Sequence, residues 1–159
     1  MDEDKFWQII ESFDWSKPGG AAMYPAVETL SQMTEADLQD FDEILAQKLY
    51  ALDTKAHAAP TGFGTEHLSV DQFLYYRCAV VVEGRETYEL VLNHQRQMPK
   101  DLRFEDILIL TYDAAQEMGL DDYLDNTTVS YETFSNKAGW KDADFPDALP
   151  PGHKPQHQR

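Results

Sequence analysis

The chain of 159 residues has one cysteine, Cys78, and few cations, with 13 Lys and Arg against 29 Asp and Glu. A lone cysteine excludes an internal disulfide framework and any paired-cysteine metal site. No apolar run approaches the ~20 residues that a membrane-spanning helix needs. The opening Met-Asp-Glu-Asp-Lys lacks the basic-then-apolar layout of a secretory signal, so the expected location is the cytoplasm. The catalytic signatures GxSxG, GxGxxG, HExxH and the P-loop are all missing. His57 and His67 stand ten apart, and His153 and His157 fall near the C-terminus, a spacing unlike that of a structural zinc site. The expectation is therefore no metal, no cofactor and no catalytic residue, with no positive support for an enzyme.

What the chain does have is negative charge. Its formal net charge of −16 repels phosphate backbones and speaks against nucleic acid as a ligand. Such an excess either keeps the protein soluble or steers a basic protein partner toward it. The 12% of aromatic residues is enough to anchor a core in a single domain of this length.

Periodicity points to a mainly α fold. In "DEDKFWQIIESF", Phe6, Ile9, Ile10 and Phe13 share one helical face, with Asp2 as cap. Pro18, Gly19 and Gly20 break that helix, and a short one follows from about Ala21 or Pro25 to Met33. Thr34 opens a capping-box-like "TEAD". Behind it Leu38, Phe41, Ile44, Leu45, Leu49 and Leu52 form the clearest amphipathic stripe, expected to end between Asp53 and Ala58. "SVDQ" at 69–72 reads as a full capping box. It opens a helix with Phe73, Leu74, Arg77, Val80 and Val81 inward, closed by Gly84 in a left-handed cap. A further helix follows with Tyr88, Val91 and Leu92 inward. Another begins at Asp101 or Arg103 and ends at Gly119, with Phe104, Ile107, Leu108, Thr111, Ala115 and Met118 as its stripe. Beyond Asp121 the periodicity fades, and "NTTVSYETF" suits a short strand or an extended arm. The expected organisation is a compact helical domain over 1–120, an irregular arm packed on it over 121–150, and a disordered tail over 151–159.

Three blocks carry a family resemblance. Phe6-Trp7 with Ile9-Ile10 resembles an opening "FWxLI"; "DQFLYYR", an apolar run and "EGRETYELVL" resemble a central "DxFxYFRxWLIxxGRExYExAL"; and "EDILILTYDAAQE" resembles a closing helix. Together they are similar to the bacterial domain-of-unknown-function family numbered 4240, over about residues 1–118. The resemblance implies a helical fold and no particular activity.

Two sets of residues stand out as candidate sites. Arg77 falls on an inward helical face near Trp7 and Tyr76 in the expected core. A buried guanidinium needs partners, so it is expected to meet a carboxylate such as Asp113, Asp71 or one on the first helix, or to grip an anionic ligand. Cys78 beside it fits a small core residue. The second set is aromatic side chains in non-periodic segments: Trp15, Tyr24, Phe63, Tyr131, Phe134, Trp140 and Phe145. With Asp142 and Asp144 they either staple loops to the core or form the anchors and rim of a protein interface. Small size, acidity and the absence of catalytic motifs lead to one functional expectation, an immunity- or antitoxin-type protein masking a basic toxin or enzyme. The alternative is a regulatory or ligand-sensing domain with a pocket near Arg77 and Trp7.

Overall fold

A computed structural model describes residues 1–62 and 69–141. Among these residues there are seven α-helices and four 3-10 turns, and no strand. The segment "NTTVSYETF" is an arm without helix or strand.

Local chemistry accounts for where most helices start. The first, α1 (Glu3–Ile10), is capped by the Asp2 carboxylate, which accepts from the Lys5 amide at 2.8 Å. Pro18, Gly19 and Gly20 give way to a 3-10 turn, Gly19–Met23, which runs directly into α2 (Tyr24–Ser31). The third helix, α3 (Glu35–Ala51), carries a complete capping box. Thr34 Oγ1 accepts from the Asp37 amide at 3.2 Å, and the Asp37 carboxylate accepts from the Thr34 amide at 3.0 Å. Aspartate thus fills the place that glutamate or glutamine usually takes.

Helix α3 stops earlier than its apolar stripe suggests. It ends at Ala51, and Thr54 caps a separate single turn, α4 (Lys55–Ala58), through its hydroxyl and the His57 amide at 3.0 Å. The break frees Asp53 to turn inward.

The central helix is α5 (Val70–Val82), where Ser69 Oγ accepts from the Gln72 amide at 3.0 Å, so only the forward half of the expected capping box forms. It has no polar face. Asp71, Phe73, Leu74, Tyr75, Arg77, Cys78, Ala79, Val80, Val81 and Val82 are all buried. A helix enclosed on every side shows no clean amphipathic stripe, and its three valines are tolerated because packing outweighs a few tenths of a kcal/mol of propensity each. Gly84 follows with φ +108° and ψ 174°, a region essentially reserved for glycine, rather than in the expected left-handed helical conformation. It allows α6 (Arg85–Leu92) to restart at once, with Tyr88 and Val91 buried.

The last helix also differs from expectation. Residues 101–104 are irregular, Glu105–Ile109 form a 3-10 turn, and only then does α7 (Leu110–Glu117) begin. Gly119, at φ +75°, terminates it as expected. In the packing, α3 lies against α5 and α7, α2 against α7, and α1 against α2 and α3. Phe6, Ile9, Leu38, Phe41, Leu49, Phe73 and Tyr88 from these helices meet in one continuous core.

Candidate protein-binding surface

The arm after α7 returns to the helical core and is held there by two buried charges. Arg77 has no exposed surface. Its Nη1 donates to the carbonyls of Leu49 and Tyr131, each at 2.9 Å, and its Nη2 donates to Thr133 Oγ1 at 3.0 Å. Its guanidinium carbon lies 4.8 Å from the centre of the Phe73 ring. The expected carboxylate partner is thus replaced by carbonyls and a hydroxyl. Burial pulls the Arg77 pKa down, and attraction to Asp53 opposes that most strongly. Asp53, also fully buried, accepts from the amides of Phe134 (3.1 Å) and Asn136 (3.0 Å) and from Trp140 Nε1 (2.8 Å).

This geometry decides several of the candidate residues. Phe134 and Trp140, expected as possible partner anchors, are core residues packed edge to face at 4.6 Å. Buried rings present nothing to a partner, so they staple the arm instead. Tyr131 is half-buried and lends its carbonyl to Arg77. Trp7 is buried between Phe6 and Tyr88, with Lys48 Nζ 5.8 Å from its ring centre. Tyr76 is half-buried against the core. Cys78 is a buried thiol whose pKa burial pushes up, which makes it inert. Phe63, Asp142, Asp144 and Phe145 lie outside the described residues, as do His67, His153 and His157.

Two buried acids escaped sequence reasoning. Asp42 accepts from Thr111 Oγ1 at 2.9 and 3.0 Å and from the Tyr123 hydroxyl. Burial pushes its pKa up to about 7, against the lowering effect of those two hydroxyls, and the charge of Asp125 adds to the rise. The signal was present, since Asp42 sits four residues after Leu38 and three before Leu45, on the apolar stripe itself. Asp53 continues that stripe four residues beyond Leu49.

Among the described residues two of the expected aromatics face solvent, Tyr24 at 62% exposure and Trp15 at 55%. The Trp15 ring is nonetheless fixed, with its centre 5.7 Å from that of Phe13 and 5.3 Å from that of Phe104. With Phe104, Leu102, Ala79 and Val82 it bounds an open depression of about 320 Å³, with Glu83 and Arg103 also on its lining. Leu102 is 51% exposed. A second depression of about 310 Å³ borders the same loop, lined by Asp14, Lys17, Ala21, Tyr24 and Pro25. Sequence reading passed over Leu102, because a single leucine in "PKDLRFED" has no periodic context.

No group of three or more His, Cys, Asp or Glu among the described residues is arranged to hold a metal ion. No helix among them is long and apolar enough to cross a membrane. Over residues 1–133 the sequence matches the model of a family described as protein of unknown function (DUF4240). The chain belongs to this family. The DUF4240 match extends past α7 to Thr133, so the stretch that carries Tyr123, Asp125 and both arm contacts of Arg77 lies within the family's extent. No curated protein and no solved structure matches this DUF4240 chain.

Proposed function

We propose that this protein is a binding module for a basic protein, in the manner of an immunity protein or antitoxin that covers a basic toxin or enzyme. The observation that carries the reading is Trp15, an exposed aromatic held against Phe13 and edge-on to Phe104, on a chain of net charge −16. Pre-positioned aromatics are the side chains that most often dominate binding energy, because ordering them on association costs little. The surrounding charge supplies attraction to a cationic partner over a Debye length of about 10 Å at 0.1 M salt. The ligand-sensing alternative gains no support from geometry, since Arg77 and Trp7, around which it was framed, are inaccessible.

The test is capture of partners by the full chain from its native cells, followed by association kinetics with the purified partner. The expected partner is basic. Its association rate should fall steeply as salt approaches 1 M, where screening acts beyond about 3 Å, while dissociation changes less. An acidic partner, or association indifferent to salt, would remove this reading.

A further inference from the structure

The binding reading leaves open where a partner docks and what it must present. Building on it, we propose that the depression between Trp15, Leu102 and Phe104 receives an aliphatic side chain from an amphipathic basic segment of the partner. A Lys or Arg of that segment would sit over Glu83 and the Trp15 ring.

The walls define the first half of that ligand. Ala79 and Val82 come from α5, Phe104 and Leu102 from the strand-free stretch before the 3-10 turn, and Trp15 from the loop after α1. At about 320 Å³ and open to solvent, the depression lies at the lower limit of the ~300–1,000 Å³ typical of small-molecule pockets. It suits one or two side chains better than an enclosed metabolite. Trp15 and Leu102 remain half-exposed around it, so an inserted aliphatic group would remove apolar surface from water on several sides.

Charge defines the second half. Arg103 is committed: its Nε and Nη2 contact Glu105 at 3.2 and 2.6 Å, and its guanidinium carbon stands 5.0 Å from the centre of the Tyr75 ring. Glu83, in contrast, is exposed and forms no ion pair among the described residues. It is also the C-cap of α5, whose last turn holds no basic residue, so the negative end of the helix dipole adds to its charge. The lip therefore favours a cation, and the exposed face of Trp15 offers that cation a ring to stack upon. A second copy of this chain, itself at −16, would meet repulsion.

The three tryptophans make the site observable. Trp7 and Trp140 are buried, so quenching of fluorescence by acrylamide reports chiefly on Trp15. The probe is a short amphipathic peptide of Leu and Lys, compared with versions in which Ser replaces Leu or Glu replaces Lys. The Leu/Lys peptide should shield Trp15, and the two control peptides should not. Leu102→Asp and Glu83→Lys, both at exposed positions, should each weaken that binding by about tenfold or more while leaving circular dichroism unchanged. Equal binding by both variants would overturn the docking site. If the native basic partner were still captured by those variants with unaltered affinity, the site would fall while the binding reading stood. If the native partner proved acidic, both would fall. Acrylamide access that rises on deletion of residues 142–159 would assign the depression to the chain's own C-terminus. Access that falls with protein concentration would assign it to a second copy. Either result overturns the proposal.

Discussion

Arg77 and Asp53 grip the same stretch of chain in opposite chemical senses. The guanidinium donates to the Tyr131 carbonyl and the Thr133 hydroxyl, and the carboxylate accepts from the amides of Phe134 and Asn136 and the indole of Trp140. Neither charge offsets its desolvation through the other alone; the arm supplies hydrogen bonds to both, although Arg77 Nε stays buried without a partner among the described residues.

Arg77→Ala should destabilise the fold by about 2–4 kcal/mol, because it takes the guanidinium donor away from the Leu49 and Tyr131 carbonyls, leaves the Thr133 hydroxyl with only its bond to the Val70 carbonyl, and opens a cavity. Arg77→Lys should recover only part of this, since an ammonium cannot reproduce a planar fork that reaches three acceptors. Urea midpoints at constant slope give the measurement. Wild-type midpoints in both variants would mean that the guanidinium does not tie the arm down.

Gly139 tests the same arm from its far end. A Cβ there would stand 2.7 Å from Thr54 Cγ2 and 2.9 Å from the Asp53 carbonyl oxygen. The backbone oxygen cannot swing aside, so Gly139→Ala should cost about 1–3 kcal/mol as an overpacked contact. Acrylamide should then reach Trp140 as well as Trp15. A variant with unchanged melting temperature and quenching would show that the segment Lys137–Trp140 can shift without loss.

Asp42 should give the protein an unusual pH dependence. Its folded pKa of about 7 lies above its ordinary 3.8. Below that ordinary value both folded and unfolded states hold the proton, and burial of the acid carries no penalty. Between the two values only the folded state holds it, so raising the pH favours unfolding until about 7, where the loss is complete. At about 1.4 kcal/mol per pH unit the loss is on the order of 4 kcal/mol. Several carboxylates nearer the surface act in the opposite sense, including Glu3, Asp37 and Glu43, whose pKa values are lowered by hydrogen bonds from Lys48, Thr34 and Thr128 respectively. The clean comparison is therefore Asp42→Asn minus wild type, in which those contributions cancel. That difference should grow in favour of the variant from pH 4 to pH 7 and then level off. A difference independent of pH would place the Asp42 carboxyl at its ordinary value.

Much of the helical framework was legible in the sequence because its causes are local. The Asp2, Thr34 and Ser69 caps act on amides three residues ahead, and the stripes of α1 and α3 follow from the helical repeat. Where reading failed locally, a competing contact decided. The stripe of α3 runs on through Leu52, yet the helix stops at Ala51, because Asp53 turns to the arm and Thr54 caps a new turn. The expected start of α7 comes too early because Phe104 falls in helical phase with Ile107, Leu108 and Thr111, whereas it takes an extended-side backbone conformation at φ −151° and packs against Trp15.

The sequence by itself determined the helical class, the caps, the glycine positions at 84 and 119 and the family, since these depend on residues within a turn or two of one another or on recurring local blocks. Tertiary structure alone decided what the inward polar residues pair with and which aromatics stay outside. The contacts that bury Asp42 with Tyr123, Arg77 with Tyr131 and Asp53 with Trp140 span 81, 54 and 87 residues of chain. No local propensity encodes such pairings. They exist because the returning arm brings donors and acceptors to charges that the helices have already removed from water, while Trp15, packed against Phe13 and Phe104, has nothing among the described residues to cover its outer face.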